Sequence, residues 1–172
     1  FLDVRFEMKF EQKETFGADG FDEVEFVIAT NPGEPLKPLG SVASGGELSR
    51  IMLALKTVLA KNDEIETLIF DEIDTGISGR TAQKVSEKMA QIGQRHQVIC
   101  ITHLPQIAAM ADHHFYIEKN ATDHSTATTI TELSEADSLK ELARLSGAAQ
   151  LTESVLANAK EMKDLAEKKK QN

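Results

Sequence analysis

Residues 68–76 have the sequence LIFDEIDTG, a short apolar run that ends in two adjacent carboxylates. The run predicts a buried strand over 66–70, and residues 81–92 follow as a predicted helix. A second apolar run, residues 98–102 (VICIT), is followed by a short predicted helix after Pro105. Because continuous apolar strands that alternate with helices are typical of a parallel sheet covered on both faces, the sequence predicts an α/β fold.

Polar side chains end both predicted parallel strands. Asp71 and Glu72 follow the first strand and His103 follows the second. In parallel sheets ligands bind beyond the carboxyl ends of the strands, so these three residues form a candidate site. Neighbouring carboxylates point in different directions, which allows one of them to hold Mg²⁺, directly or through water, while the other faces a reacting water. The alternative is a polar loop or helix cap with a structural or exposed histidine.

A pair of glycines stands at the start of another predicted helix, in SVASGGELSR at residues 41–50. Ser44 and Glu47 have the spacing of a capping box. Gly45 and Gly46 are not explained by capping, because glycine costs a helix up to about 1 kcal/mol relative to alanine. A helix start without Cβ atoms can bind an anion, so we predict a phosphate site there. The apolar face of this helix is predicted to contain Leu48, Ile51, Met52, Leu55 and Leu59.

The remaining elements are predicted from alternation and turn residues. Alternating residues from Leu2 to Phe10 predict a half-buried strand, paired as a hairpin with a second run at 24–28. NPGEPLKPLG, residues 31–40, is predicted as an irregular connector. Further strands are predicted over 114–119 and 126–133, and helices over 138–145 and 152–169. We expect one domain over 1–172, with a hairpin and connector (1–40), a core (41–133) and C-terminal helices (134–172).

Composition limits the classes of function. The chain has 172 residues and a formal net charge of -9, which argues against a main DNA-gripping surface because such surfaces are rich in Lys and Arg. The basic cluster at 168–170 is interpreted as a solvated helix end. Cys100 is the only cysteine and is expected in the core, so a reducing, cytoplasmic setting is predicted. Because the chain begins inside a strand pattern without Met, we expect it to be the C-terminal part of a longer protein. No zinc site is predicted, because ligand-like spacing is lacking at His96, His113, His114 and His124.

Three motifs in a fixed order resemble those of the ATP-binding-cassette superfamily. ASGGELSR (43–50) is similar to its signature motif, LIFDE (68–72) to its Walker B strand, and ITHLPQIAAMAD (101–112) to its switch-histidine segment. With DEIDTGISG (71–79) and the upstream NPGEPLKPL (31–39), they resemble most closely the SMC-like ATPases of DNA repair. The resemblance covers about residues 1–165. It implies the C-terminal lobe of a P-loop NTPase head.

The resemblance also implies a role for each site residue. Asp71 would hold the Mg²⁺ of a bound ATP, Glu72 would polarise the attacking water, and His103 would contact the γ-phosphate. Asp74 matches an acidic position of the family and is assigned to cofactor binding. Ser78 stands where many relatives have the D-loop aspartate, which puts the D-loop contacts in question. The γ-phosphate of a nucleotide held by a partner head would be bound by Ser44, Gly45, Gly46 and Glu47.

A Walker A motif is absent from the sequence: none of the ten glycines precedes a lysine in G-x-x-x-x-G-K-[ST]. The resemblance implies that this motif lies in an N-terminal lobe, beyond a long coiled coil. It further implies ATP and Mg²⁺ as cofactors, and a second head and DNA as partners in double-strand-break repair on the nucleoid. We expect little ATPase activity from this chain alone.

Other functions remain open at this stage. One is a non-catalytic module whose motifs serve only head dimerisation, and another is a metal-dependent phosphoesterase that uses the carboxylates and histidine directly. The presence of both Glu72 and His103 favours a working ATPase over the first. A transporter ATPase is a nearer competitor, but Glu47 stands where transporters usually have glutamine. Ile73 and Asp74 stand in place of their usual proline and threonine.

Overall fold

The computed structural model describes residues 4–42, 44–59, 64–122 and 125–171. The chain divides into two compact units, residues 1–44 and residues 45–172. The sequence-based expectation of one domain stays a prediction.

The N-terminal unit contains the expected hairpin. Strand β1 (Arg5–Gly17) pairs antiparallel with β2 (Gly20–Ala29), with Met8 opposite Phe26. The predicted half-burial of β1 is wrong, since Met8 is 56% exposed and Phe10 is 61% exposed. The irregular connector is also partly wrong. It contains β3 (Lys37–Pro38), which pairs with β2, and the start of helix α1 (Leu39–Val42).

Helix α2 (Gly45–Leu59) opens the second unit, and its buried face agrees only in part with the one expected. Gly46, Ile51 and Leu53 are buried, whereas Leu48, Met52 and Leu59 are exposed. The reason is that Gly46 and Leu53, seven residues apart, share the side of the helix that meets the core. The sequence places apolar residues on both sides, so spacing alone could not identify the buried one.

The parallel core is confirmed. Strand β4 (Thr67–Phe70) pairs in parallel with β5 (Gln97–Cys100). Helix α3 (Gly79–Gly93) and the short helix α4 (Pro105–Ala108) follow these strands. Burial on both faces of the sheet is not observed, because Ile69 is 69% exposed and the described residues cover only the opposite face. The covered face packs into a cluster of Leu53, Leu68, Phe70, Ile73, Val85, Met89, Ile92 and Ile107.

The C-terminal part contains a second hairpin and two helices. Strands β6 (Phe115–Thr122) and β7 (Ser125–Glu132) are antiparallel, and helices α5 (Glu135–Leu145) and α6 (Glu153–Lys170) follow. Ser134 and Thr152 cap these helices through their side chains. At the end of α6, Lys169 pairs with Glu87 and Lys170 pairs with Asp112 at 2.7 Å. The basic cluster therefore contacts the rest of its own unit.

No helix among the described residues has the length and apolar character needed to cross a membrane.

Candidate functional site

The two carboxylates lie where β4 leaves the sheet. The Ile101 amide donates to the Phe70 carbonyl oxygen at 3.1 Å, which aligns the ends of the two parallel strands. The chain then turns back toward the core, where the Ile73 side chain is fully buried. Glu72 makes this turn with a φ of +56°, a left-handed conformation that is uncommon outside glycine. Asp71 and Glu72 consequently remain exposed at the carboxyl edge of the sheet.

The start of α2 is bound to this turn by side-chain hydrogen bonds. Ser49 Oγ donates to the Asp71 carbonyl oxygen at 2.9 Å. Arg50 Nη1 donates to the carbonyl oxygens of Ile73 at 3.0 Å and Thr75 at 2.9 Å. The signature-like helix and the Walker-B-like loop are thus one hydrogen-bonded assembly within the same chain.

The two glycines allow α2 to approach this closely. A Cβ atom built on Gly46 would lie 2.8 Å from the Glu72 carbonyl oxygen and 3.0 Å from Thr75 Cβ. A Cβ atom on Gly45 would collide with the Glu72 carboxylate. The close packing of α2 against the Glu72 turn of the same chain is therefore a reason for glycine at both positions. The predicted binding of a partner's phosphate by residues 44–47 stays a prediction.

Asp74 connects this turn to the switch-histidine segment. The residue is 3% exposed, and its Oδ2 accepts from Thr102 Oγ1 at 2.6 Å and from the His103 amide at 2.8 Å. His103 Nδ1 lies 2.9 Å from the same oxygen, while the His103 side chain is 70% exposed. Leu104 completes the turn, its amide donating to Thr102 Oγ1 at 3.0 Å. The histidine is anchored at Nδ1 and presents the rest of its ring to solvent.

Burial shifts the pKa of two ionisable groups around this turn, Arg50 and Cys100. Partial desolvation lowers the pKa of Arg50, and the negative charges of Glu47 and Asp74 oppose that shift. Burial raises the pKa of the Cys100 thiol to about 12, and the charges of Asp74 and Asp71 add to the effect. Cys100 therefore stays a protonated thiol packed against the core, in agreement with its predicted place there.

The residues at the strand end fit Mg²⁺. This ion is usually bound by one or two carboxylates together with phosphate oxygens and water. Asp71 and Glu72 offer exposed carboxylates of this kind, and Asp71 Oδ1 accepts the Glu72 amide at 2.9 Å, which fixes the orientation of Asp71. Within the described part of the chain, no three His, Cys, Asp or Glu side chains form a group that could hold a metal by themselves. His124 lies outside that part.

The sequence-predicted residues are brought together in part. Asp74 and His103 are in direct contact, and Asp71 and Glu72 meet the start of α2. Ser78 is exposed and begins α3 as its N-cap, without a capping bond from its side chain. The cofactor-binding role assigned to Asp74 stays a prediction.

Three residues with clear contacts were missed by the sequence reasoning: Ser49, Arg50 and Thr102. Arg50 could have been noticed because it lies four residues after Gly46 and three before Leu53, on the buried side of α2. Thr102 and Ser49 carry no such signal, since their partners are 28 and 22 residues away.

The comparisons with known proteins agree with these features. No protein-family profile matches the chain. It is 48% identical over 165 residues to the DNA repair protein RecN of Halalkalibacterium halodurans, a match that covers 96% of this chain and 29% of that protein. The chain thus spans less than a third of that relative. The resemblance to a DNA repair protein that the motifs predicted is therefore confirmed, and the relative is a RecN protein.

Solved structures give the same fold. The Smc head domain with coiled coil and joint from Pyrococcus yayanosii superposes with a TM-score of 0.60 at 22% identity, covering 84% of this chain and 26% of that chain. A structure from work on ATP-driven dimerization and DNA-stimulated activation of SMC ATPases superposes with a TM-score of 0.50 at 20% identity, covering 84% of each chain. The predicted α/β head-lobe fold is confirmed.

Proposed function

We infer that this chain is the C-terminal head segment of a RecN-like DNA repair protein, and from that premise we propose that it forms one half of an ATP-hydrolysing head. The other half would be an N-terminal lobe of the same parent protein. That lobe would supply the glycine-rich loop and lysine that cradle the phosphates, which this sequence lacks. The isolated chain would therefore have little or no activity.

The observation that carries this proposal is the connection of three motifs at one edge of the sheet. Hydrogen bonds join the start of α2 to the 71–75 turn, and that turn to His103. Phosphoryl transfer to water depends mainly on positioning and electrostatic stabilisation, so a rigidly connected set of groups is what the reaction needs.

Each residue has a defined task in the proposed reaction. The exposed Glu72 carboxylate would accept a hydrogen bond from the attacking water and so orient it. His103 would donate to an oxygen of the γ-phosphate and sense its loss. Asp71 is the residue that would hold Mg²⁺, which supplies neutralisation of the phosphate charge when bound.

The start of α2 would serve a second molecule. We propose that Ser44, Gly45, Gly46 and Glu47 bind the γ-phosphate of a nucleotide held by the partner head, so that ATP joins two heads and hydrolysis releases them. The fold relative known for ATP-driven dimerization supports this arrangement. DNA would be engaged by the full-length protein in double-strand-break repair on the cytoplasmic nucleoid.

The test is Glu72→Gln in the full-length protein, with Glu64→Gln as the matched control. Glu64 is an exposed carboxylate before β4, away from the site. We expect Glu72→Gln to retain ATP binding, to lower kcat by about 100-fold or more and to accumulate dimers with ATP. Glu64→Gln should match wild type.

Three outcomes would contradict the proposal. Unchanged turnover in Glu72→Gln would favour the non-catalytic dimerisation module. Turnover by the pure 172-residue chain that survives loss of Asp71 and Glu72 would exclude the assignment altogether. Tight Mg²⁺ or Mn²⁺ binding by the chain without nucleotide would favour the phosphoesterase.

A further inference from the structure

Asp74 has a contact pattern that does not suit a nucleotide ligand. Its side chain is 4% exposed, and its Oδ2 is the common partner of the Thr102 hydroxyl, the His103 amide and His103 Nδ1. A buried carboxylate whose Oδ2 already serves three groups is poorly suited to bind a phosphate or a metal as well. We propose that Asp74 is instead a positioning residue that fixes the ring of His103 through its Nδ1 and backbone amide, an inference that rests on the proposed ATPase function.

The geometry determines which nitrogen of His103 is available for the reaction. Nδ1 lies 2.9 Å from Asp74 Oδ2. Because a carboxylate can only accept, Nδ1 is the nitrogen that carries a hydrogen, and it donates a hydrogen bond to Asp74. Nε2 is then the nitrogen left for the γ-phosphate. Because the His103 amide also donates to Oδ2, at 2.8 Å, the backbone and the ring are fixed by the same atom.

The charge of Asp74 has a separate purpose. To donate from Nε2 to an anionic oxygen, His103 must carry a second proton and become an imidazolium. Hydrogen bonds to an ionised acceptor are stronger than those to a neutral one, so the carboxylate holds the ring more firmly than an amide would. The other charged groups near this turn are Arg50, Glu47, Asp71 and Glu72. Arg50 donates to the carbonyl oxygens on either side of Asp74 and so holds the residue in place.

The test uses Asp74→Asn in the full-length protein. Asparagine keeps the size of the side chain and an acceptor oxygen but removes the charge. We expect kcat for ATP hydrolysis to fall by about 10- to 100-fold, the range seen when the group that orients a metal-ligating histidine is replaced. The KM for ATP should stay within about twofold, whereas a nucleotide ligand at Asp74 would raise KM when replaced.

A double-mutant cycle with His103→Ala separates this role from a purely structural one. If Asp74 acts through the histidine, adding Asp74→Asn to His103→Ala should leave kcat unchanged. Thr102→Val removes one hydrogen bond from the same oxygen without touching the ring, so it should lower Tm with a smaller loss of kcat. A kcat loss in Asp74→Asn that is equally large with and without His103 would overturn the inference.

Failure of this inference is distinguishable from failure of the proposed function. If His103→Ala leaves kcat unchanged, the role of His103 in hydrolysis is wrong and the positioning role falls with it. If His103→Ala slows hydrolysis but Asp74→Asn leaves kcat unchanged or raises KM, only the positioning role is wrong.

Discussion

Gly45 faces the carboxylate of Glu72, so that a Cβ atom added to the first residue of α2 would collide with Glu72 Oε2. Its neighbour Gly46 faces backbone instead, with the added Cβ 2.8 Å from the Glu72 carbonyl oxygen. The two glycines therefore meet different parts of one residue. A side-chain end can turn away, whereas a carbonyl oxygen in a hydrogen-bonded turn cannot.

The first prediction is that alanine is tolerated differently at these two glycines. We expect Gly46→Ala to lower the free energy of unfolding by about 1–3 kcal/mol, because the site is buried and overpacked by the new methyl group. Gly45→Ala should change it by less than about 1 kcal/mol, since Glu72 can rotate and alanine favours the helix. Urea unfolding followed by circular dichroism measures both.

Gly93→Ala is the matched control for these variants. Gly93 ends α3, and no heavy atom lies within 4 Å of its added Cβ. Gly93→Ala should leave the free energy of unfolding unchanged or raise it slightly. Equal losses at Gly45 and Gly46 would contradict the different approach of the two residues to the turn.

The elements were predictable where residues of one kind recur at one spacing. Alternation in β1 and β2, the apolar runs of β4 and β5, and the side of α3 that carries Val85, Met89 and Ile92 were all found from the sequence. The motifs also placed Asp71, Glu72 and His103 at one edge. These features are local, because a few consecutive residues determine each of them.

Burial and side-chain partners were less predictable. The spacing predicts that Leu48 and Met52 lie on the buried side of α2. Both are exposed, and Leu53, on another side of the helix, is buried instead. The burial of Asp74 depends on Thr102 and His103, which are 28 and 29 residues further along the chain. Contacts across such distances follow from the packing of whole elements, which spacing within one element does not encode.

A second prediction concerns Arg50, which joins α2 to the turn. Arg50→Met should lower the free energy of unfolding by about 1–2 kcal/mol, because the carbonyl oxygens of Ile73 and Thr75 lose a charged donor. Arg50→Lys should lower the free energy of unfolding by less than Arg50→Met does. Arg80→Met, at an exposed position of α3, should stay within about 0.5 kcal/mol of wild type in the same urea experiment. A loss at Arg80 equal to that at Arg50 would contradict the contact.

A third prediction concerns pH. Burial lowers the pKa of His114 below its ordinary value of 6.5, while Glu141 opposes this shift and Lys163 adds to it. The unfolded chain then binds the proton more tightly than the folded chain, so stability is present above about pH 6.5 and is lost as the pH falls through the lowered pKa. We expect this loss in urea unfolding measured between pH 7 and pH 5. His114→Asn should show a flatter dependence, and an unchanged slope would contradict the assignment.

A fourth prediction concerns the reactivity of Cys100. With its pKa raised to about 12 by burial, the thiol has roughly a thousandfold smaller thiolate fraction at pH 8 than an ordinary cysteine. Iodoacetamide should therefore modify the native chain very slowly, and faster as the pH rises toward 12. The same chain unfolded in urea is the control and should react at the ordinary rate. Equal rates in the two states would show that the thiol is not buried.

The last prediction concerns the exposed apolar face of β1. Met8 is 56% exposed and Phe10 is 61% exposed, on a strand that pairs with only one neighbour among the described strands. Exposed apolar edge strands promote association, so we expect the chain to self-associate at micromolar concentrations in light scattering. Lysine at both positions should restore monomers.

Glu7→Gln with Glu11→Gln is the matched control for that pair. These residues lie on the opposite face of β1 and change the net charge by the same amount, while the Lys9–Glu11 ion pair that is lost is solvent-exposed and contributes little. If both double variants dissolve the oligomers equally, the change in charge on β1 is the cause and not the loss of the apolar face. If only the lysine variant does so, the apolar face holds the copies together, and a covering lobe in the full-length protein would then suppress the association.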